Sequence, residues 1–175
     1  MKLTRIGIVI AISTLLTSHL VYSGPTEVGA SLHQKHELEI SDVPTEVINT
    51  INKARPGLTI TGAEKELKHG NTYIDVETLD KEGNEIEFDM LLDNGAWKIA
   101  EIQRDLAFTD TPDAVQAEFT TKLAKLVPVR IIESDQGDGT IIYEFFTISE
   151  KKLESKHEIK FAQGKAQLLK DEWQH

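Results

Sequence analysis

The sequence predicts an α+β fold made of two tandem repeats, each a helix followed by a four-stranded antiparallel sheet, with the helices packed on one sheet face. Three observations carry this expectation. Amphipathic stretches start after Ser41-Asp42, with Pro44 in the first turn, and at Asp110-Thr111-Pro112-Asp113. Each is followed by four runs of apolar residues, mostly alternating with polar ones, separated by polar and glycine turns. An offset of 69 residues brings Gly95 onto Gly164, Ile74 onto Tyr143, Val76 onto Phe145, Met90 onto Ile159 and Leu92 onto Phe161, so core positions fall on core positions. A slip of one residue would invert each strand's faces, and chance rarely keeps several in phase.

Residues 1–23 read as a cleaved secretory signal. Lys2 and Arg5 form its charged start, residues 6–16 its apolar run, and Val21-Tyr22-Ser23 its small-residue exit before Gly24. His19 ends the apolar run well short of the roughly 20 residues that a spanning helix needs. Cleavage takes away two of 19 basic residues against 29 acidic ones and moves the net charge from −10 to −12. No later segment is long and apolar enough to span a bilayer, so the mature chain is expected in the periplasm or outside the cell.

Residues 24–36 are small, polar and aperiodic and read as a flexible leader; His33 and His36 within it lack the further ligands of a metal site. The first repeat is expected over residues 37–105. Val47, Ile48 and Ile51 make the apolar side of its helix, Ser41 or Asp42 is the expected N-cap, Pro44 fits the first turn, and Arg55-Pro56-Gly57 stops it. Strands follow at residues 58–67, 72–79, 85–92 and 97–105. The third alternates most cleanly, with Ile86, Phe88, Met90 and Leu92 on one face and Glu85, Glu87 and Asp89 on the other. Asp93-Asn94-Gly95 is a strong hairpin signal, since Asn and Gly accept positive φ.

The second repeat is expected over residues 106–175. Val115, Phe119, Leu123 and Leu126 line a helix about one turn longer than the first, and strands follow at residues 129–134, 140–149, 156–161 and 165–173. The expected core holds Val76, Ile86, Phe88, Met90, Ile99, Phe119, Leu123, Phe145, Ile159 and Phe161.

The run from Glu39 to Val47, the helix ending near Arg55-Pro56, Tyr73-Ile74-Asp75-Val76-Glu77 and the paired glycine turns resemble the PepSY-like domains of secreted bacterial proteins. Thr111-Pro112-Asp113-Ala114-Val115 and Tyr143-Glu144-Phe145 repeat the pattern more loosely. A tandem pair is also similar in architecture to the beta-lactamase inhibitor protein, where two helix-plus-sheet repeats present one concave surface. The resemblance covers residues 37–173 and implies binding, with inhibition or regulation of a peptidase as one form.

Composition narrows the function classes. The acidic balance lacks the basic footprint that nucleic-acid phosphates require. The absence of cysteine removes disulfides, thiolate nucleophiles and Cys-ligated metals. No G-x-S-x-G elbow, H-E-x-x-H helix, phosphate loop or dinucleotide glycine pattern occurs, so neither an enzyme nor a cofactor is expected. His157 falls at an inward position of the register and reads as a core histidine. Calcium is a weak alternative at 80–85 and 135–139, where Asp, Asn and Gly also suit ordinary turns.

The candidate partner-binding surface is the sheet face away from the helices. In the first repeat it carries Asp75, Glu77, Glu87 and Asp89, a set that most often is simply solvated. In the second it exposes Ile142, Phe146 and Ile148 beside Glu144, unless these pack within the molecule. The expected function is a non-enzymatic binding protein contacting another secreted or envelope protein. The alternative is a structural or small-ligand and cation-binding envelope module.

Overall fold

The computed structural model describes residues 33–68, 70–149 and 154–173; the expected signal segment and residues 24–32 of the leader lie outside them. Nine strands run in sequence order across one antiparallel sheet, each paired with its chain neighbours. They are β1 (His33–Glu37), β2 (Thr59–Lys68), β3 (Asn71–Leu79), β4 (Glu85–Asp93), β5 (Ala96–Asp105), β6 (Val127–Asp135), β7 (Thr140–Ile148), β8 (Glu154–Ala162) and β9 (Lys165–Leu168). Helices α1 (Thr45–Ala54) and α2 (Asp113–Lys122) are each preceded by a short 3₁₀ turn, Ile40–Asp42 and Phe108–Asp110.

This continuous sheet overturns the expected pair of separate helix-plus-four-strand units. The finding responsible is the pairing of β5 with β6, where Ile102–Asp105 lie opposite Ile132–Asp135. An unpaired strand edge seeks hydrogen bonds, and here the last strand of one half and the first of the next satisfy each other. The seam carries Arg104 Nε on Glu133 Oε1 at 2.7 Å and Tyr143 Oη on Glu133 Oε2 at 2.9 Å. Residues 33–36, read as the end of the leader, form with Glu37 the edge strand β1 opposite β2.

Both helices bury apolar side chains on the same sheet face. Val47 and Ile51 of α1 pack on Ile74, Val76, Phe88 and Met90; Val115 and Phe119 of α2 pack on Ile131, Tyr143, Phe145 and Ile159. Ile86, Ile99, Leu123 and Phe161 are half-buried at the margins of these two cores. Phe119 lies with its ring centroid 4.5 Å from that of Phe145.

The helices start after Pro44 and Pro112, which occupy the N-cap positions without a side-chain cap; Ser41 and Asp42 lie outside α1. Both helices have ten residues, so α2 is not longer. The chain after Lys122 closes instead into a turn, with Leu126 N–H donating to the Leu123 carbonyl. The last strand ends at Leu168, well before residue 173. Asn94-Gly95 and Gln163-Gly164 adopt positive φ at both positions, the turn geometry that matches strand twist in two-residue hairpins.

Candidate functional site

The site is built on the sheet face opposite the helices. Strand alternation that sends Ile74, Val76, Phe88 and Met90 into the core sends Asp75, Glu87 and Asp89 to the other side. Asp75 pairs with Asp89, and Asp89 with Glu101, so three carboxylates from β3, β4 and β5 form a row across the sheet. Neighbouring strands are about 4.8 Å apart, and like charges directly opposite destabilise a sheet. Such a row needs protons, donors or cations to persist.

The face is not simply solvated. Asp75 is 7% exposed and Glu101 6%. With half-buried Glu87 and Asp89, they line a cavity of about 280 Å³ whose other walls include Lys35, Lys156 and Trp173. That volume lies just under the roughly 300–1,000 Å³ of ordinary small-molecule pockets, and it suits one side-chain head group better than a cofactor.

Each acid has a different environment. Asp75 accepts from Lys35 Nζ at 3.1 Å, brought over by β1. Burial still holds Asp75 above the usual carboxylate range against the pull of that ammonium. Lys35, more than half exposed along its side chain, loses less hydration, and Asp75 overcomes the effect of its burial to raise it above the usual lysine range. Glu87 is pushed up to about 7, first by burial and then by the charge of Asp75.

Glu101 accepts from Ser134 Oγ, from Gln136 Nε2 at 2.8 Å and from Gln103 Nε2 at 2.7 Å. Asp89 Oδ1 is shielded from solvent and has no donor. It faces Glu101, and a bond between the two carboxylates requires that one carry a proton. Three neutral donors converge on Glu101, so Asp89 takes the proton; burial first, then Glu101, raise it far above the usual aspartate range.

A second acidic group lies across β7 and β8. Glu144 pairs with Glu158 in register, and Lys156 Nζ reaches Glu158 at 2.9 Å and Glu144 at 3.7 Å. Burial raises Glu144 above its ordinary range, with Lys156 opposing. The segment Leu169–Trp173 returns over this region. Glu172 Oε1 accepts from Lys156 Nζ at 2.8 Å, Trp173 N–H donates to Glu158 Oε2, Trp173 Nε1 donates to Gln136 Oε1 at 2.9 Å, and Lys160 Nζ lies 4.4 Å from the indole centroid.

The sequence-predicted residues therefore divide. Asp75, Glu87, Asp89 and Glu144 converge on the cavity, whereas Glu77 is exposed outside it, its carboxylate lying over Gly62. Ile142 also lines the cavity but is only 1% exposed. The expected exposed stripe of Ile142, Phe146 and Ile148 is thus corrected: Trp173 and Lys160 come over the face near Ile142, and half-buried Phe146 lies under Arg130 at 5.8 Å. Ile148 is half-buried at the strand end.

Glu101, Ser134, Gln136, Lys35 and Trp173 were not expected. Glu101 shares odd parity with core-facing Ile99, but a bulge lets Met90 pair with Ile99 and Asp89 with Glu101, which turns Glu101 to the polar face. Only the bulge carried that information. His157 is half-buried, with Nε2 3.1 Å from Ser155 Oγ.

The two calcium-like segments are hydrogen-bonded turns. Asp80 Oδ1 accepts from the Glu82 and Asn84 amides, and Asp138 Oδ1 from the Thr140 amide. Bonds from Asn84 and from Thr140 hold Asp80 and Asp138 below the usual range. Among the described residues, no group of three or more His, Cys, Asp or Glu side chains is arranged to hold a metal ion. No helix among them is long and apolar enough to cross a membrane.

No family model matches the chain, and no curated protein matches it. Among solved structures, it is similar to a Bacteroides vulgatus protein of the DUF2874 family, described provisionally as periplasmic, at 19% identity over 78% of this chain and 94% of that one. The TM-score is 0.31, too low for the likeness to carry fold or function to this chain.

Proposed function

We propose that the protein is a non-enzymatic binding protein of the periplasm or cell exterior, whose polar sheet face receives a cationic side chain of another secreted or envelope protein. The carrying observation is the row Asp75–Asp89–Glu101, sunk in a cavity of one side chain's size, with Asp89 Oδ1 lacking any donor. An entering Lys or Arg would supply donors and positive charge together, and would release the proton that Asp89 holds. The location rests on the signal-like residues 1–23, and peptidase inhibition or regulation is the specific form implied by the PepSY-like resemblance.

Calorimetry with a hexalysine peptide tests this reading. Binding to the wild type should weaken with salt, as charge pairing requires, and fall at least tenfold in an Asp75→Asn, Glu87→Gln double variant. Equal binding by the folded variant would place the contact elsewhere. Absence of binding to the wild type would remove the cationic-partner reading.

A further inference from the structure

We propose that Leu169–Trp173 is a releasable strap that gates the acidic cavity, an inference that rests on the polar face being the binding surface. The strap has no regular secondary structure, and among the described residues its backbone bond to the sheet is the one from Leu169 N–H to the Glu158 carbonyl. Beyond that bond it is held by side chains of the polar face: Lys156 on Glu172, Glu158 on the Trp173 amide, Gln136 on the indole N–H, and Lys160 against the ring. Segments tied by a few polar contacts open at lower free energy than the core to which they are attached.

Two of those anchors, Lys156 and Glu158, also line the cavity, and a third, Gln136, touches its acid row. Glu158 is 6% exposed and lines it, with one of its oxygens taken by the strap. Gln136 joins the strap to the acid row, since its Oε1 accepts from Trp173 while its Nε2 donates to Glu101 Oε2 at 2.8 Å. The strap thus offers N–H donors to acceptors of the face, which is the chemistry of the proposed ligand. A cationic group that takes Glu158 displaces the Trp173 amide. Release in turn removes the indole donor from Gln136 Oε1 and opens the wall formed by Trp173. Ligand and strap compete for the same acceptors, so the apparent affinity of the closed chain is reduced by the fraction of molecules that are open.

Two measurements on the full-length chain test the gate. Trp97→Phe leaves Trp173 as the sole tryptophan, because the sequence has two. Adding hexalysine should then raise acrylamide quenching of Trp173 at least twofold, and Trp173→Ala should bind hexalysine about tenfold more tightly than wild type if one molecule in ten is open. Unchanged or weaker binding by Trp173→Ala, with quenching unaffected by the peptide, would make the strap a fixed wall and overturn the proposal. If hexalysine binds neither protein, the cationic-partner reading fails separately and the ligand-free chain decides the strap. Glu158→Gln and Lys156→Ala should each raise quenching of Trp173 while leaving the melting transition cooperative; a chain in which neither does so contradicts a releasable strap.

Discussion

Asp89 and Glu101 face each other across β4 and β5 with a complete set of donors on one carboxylate and none on Oδ1 of the other. The pair makes the folded state a proton binder. Asp89 and Glu87 hold protons above the pH at which the unfolded chain releases them, Glu87 up to about 7. Between those limits the native state binds more protons than the unfolded state, so stability falls as pH rises. The melting temperature is expected to be higher at pH 5 than at pH 8.5, and Asp89→Asn should flatten the slope and raise stability at pH 8.5. Thermal melts of both proteins across that range check the sign, and a wild type that gains stability with rising pH would contradict the assignment.

The core prediction separates residues that the sequence placed together. Phe88 and Phe145 are fully buried, and truncating either to Ala should cost about 3–5 kcal/mol. Phe161, half-buried at the margin of the second core, should cost less. Denaturant unfolding of the three variants gives the order, and a Phe161 penalty as large as that of Phe88 would be inconsistent with this packing.

On the polar face, Ile142→Asp would place a charge where the side chain has almost no solvent contact, and it should prevent cooperative folding. Phe146→Asp removes a half-exposed ring and its contact with Arg130, at a cost of roughly 1 kcal/mol or less. Circular dichroism melts of the two variants distinguish them.

Gln163 takes φ of 53° in a turn where its counterpart at the 69-residue offset, Asn94, takes 51°. Asn tolerates this left-handed conformation better than Gln does. Gln163→Asn should therefore stabilise the protein by about 0.5–1 kcal/mol, read as a raised denaturant midpoint.

The core-facing positions of the strands were legible because strand faces obey a period of two. The offset of 69 residues reproduces the register: Ile74 pairs with Met90 and Tyr143 with Ile159. Thr78 and Thr147, separated by the same offset, donate their hydroxyls to the carbonyls of Ile86 and Ser155. The joining of the halves was not legible. The β5–β6 seam unites Arg104 with Glu133, and neither residue signals a long-range strand pair from its local sequence. Burial of Asp75 was missed for a related reason: the lysine that covers it comes from β1, forty residues earlier, in a stretch without periodicity. Glu101 was hidden by the bulge that breaks the alternation of β5.

The central claim, that the acid row is where a cationic side chain enters, is tested most directly by following the side-chain carboxyl carbons in NMR while hexalysine is added. The resonances of Asp75, Glu87, Asp89 and Glu101 should shift together and saturably, with net proton release on binding near neutral pH as Asp89 and part of the Glu87 population ionise. Shifts confined to exposed acids such as Glu77 and Glu85, with the buried row unmoved, would contradict it.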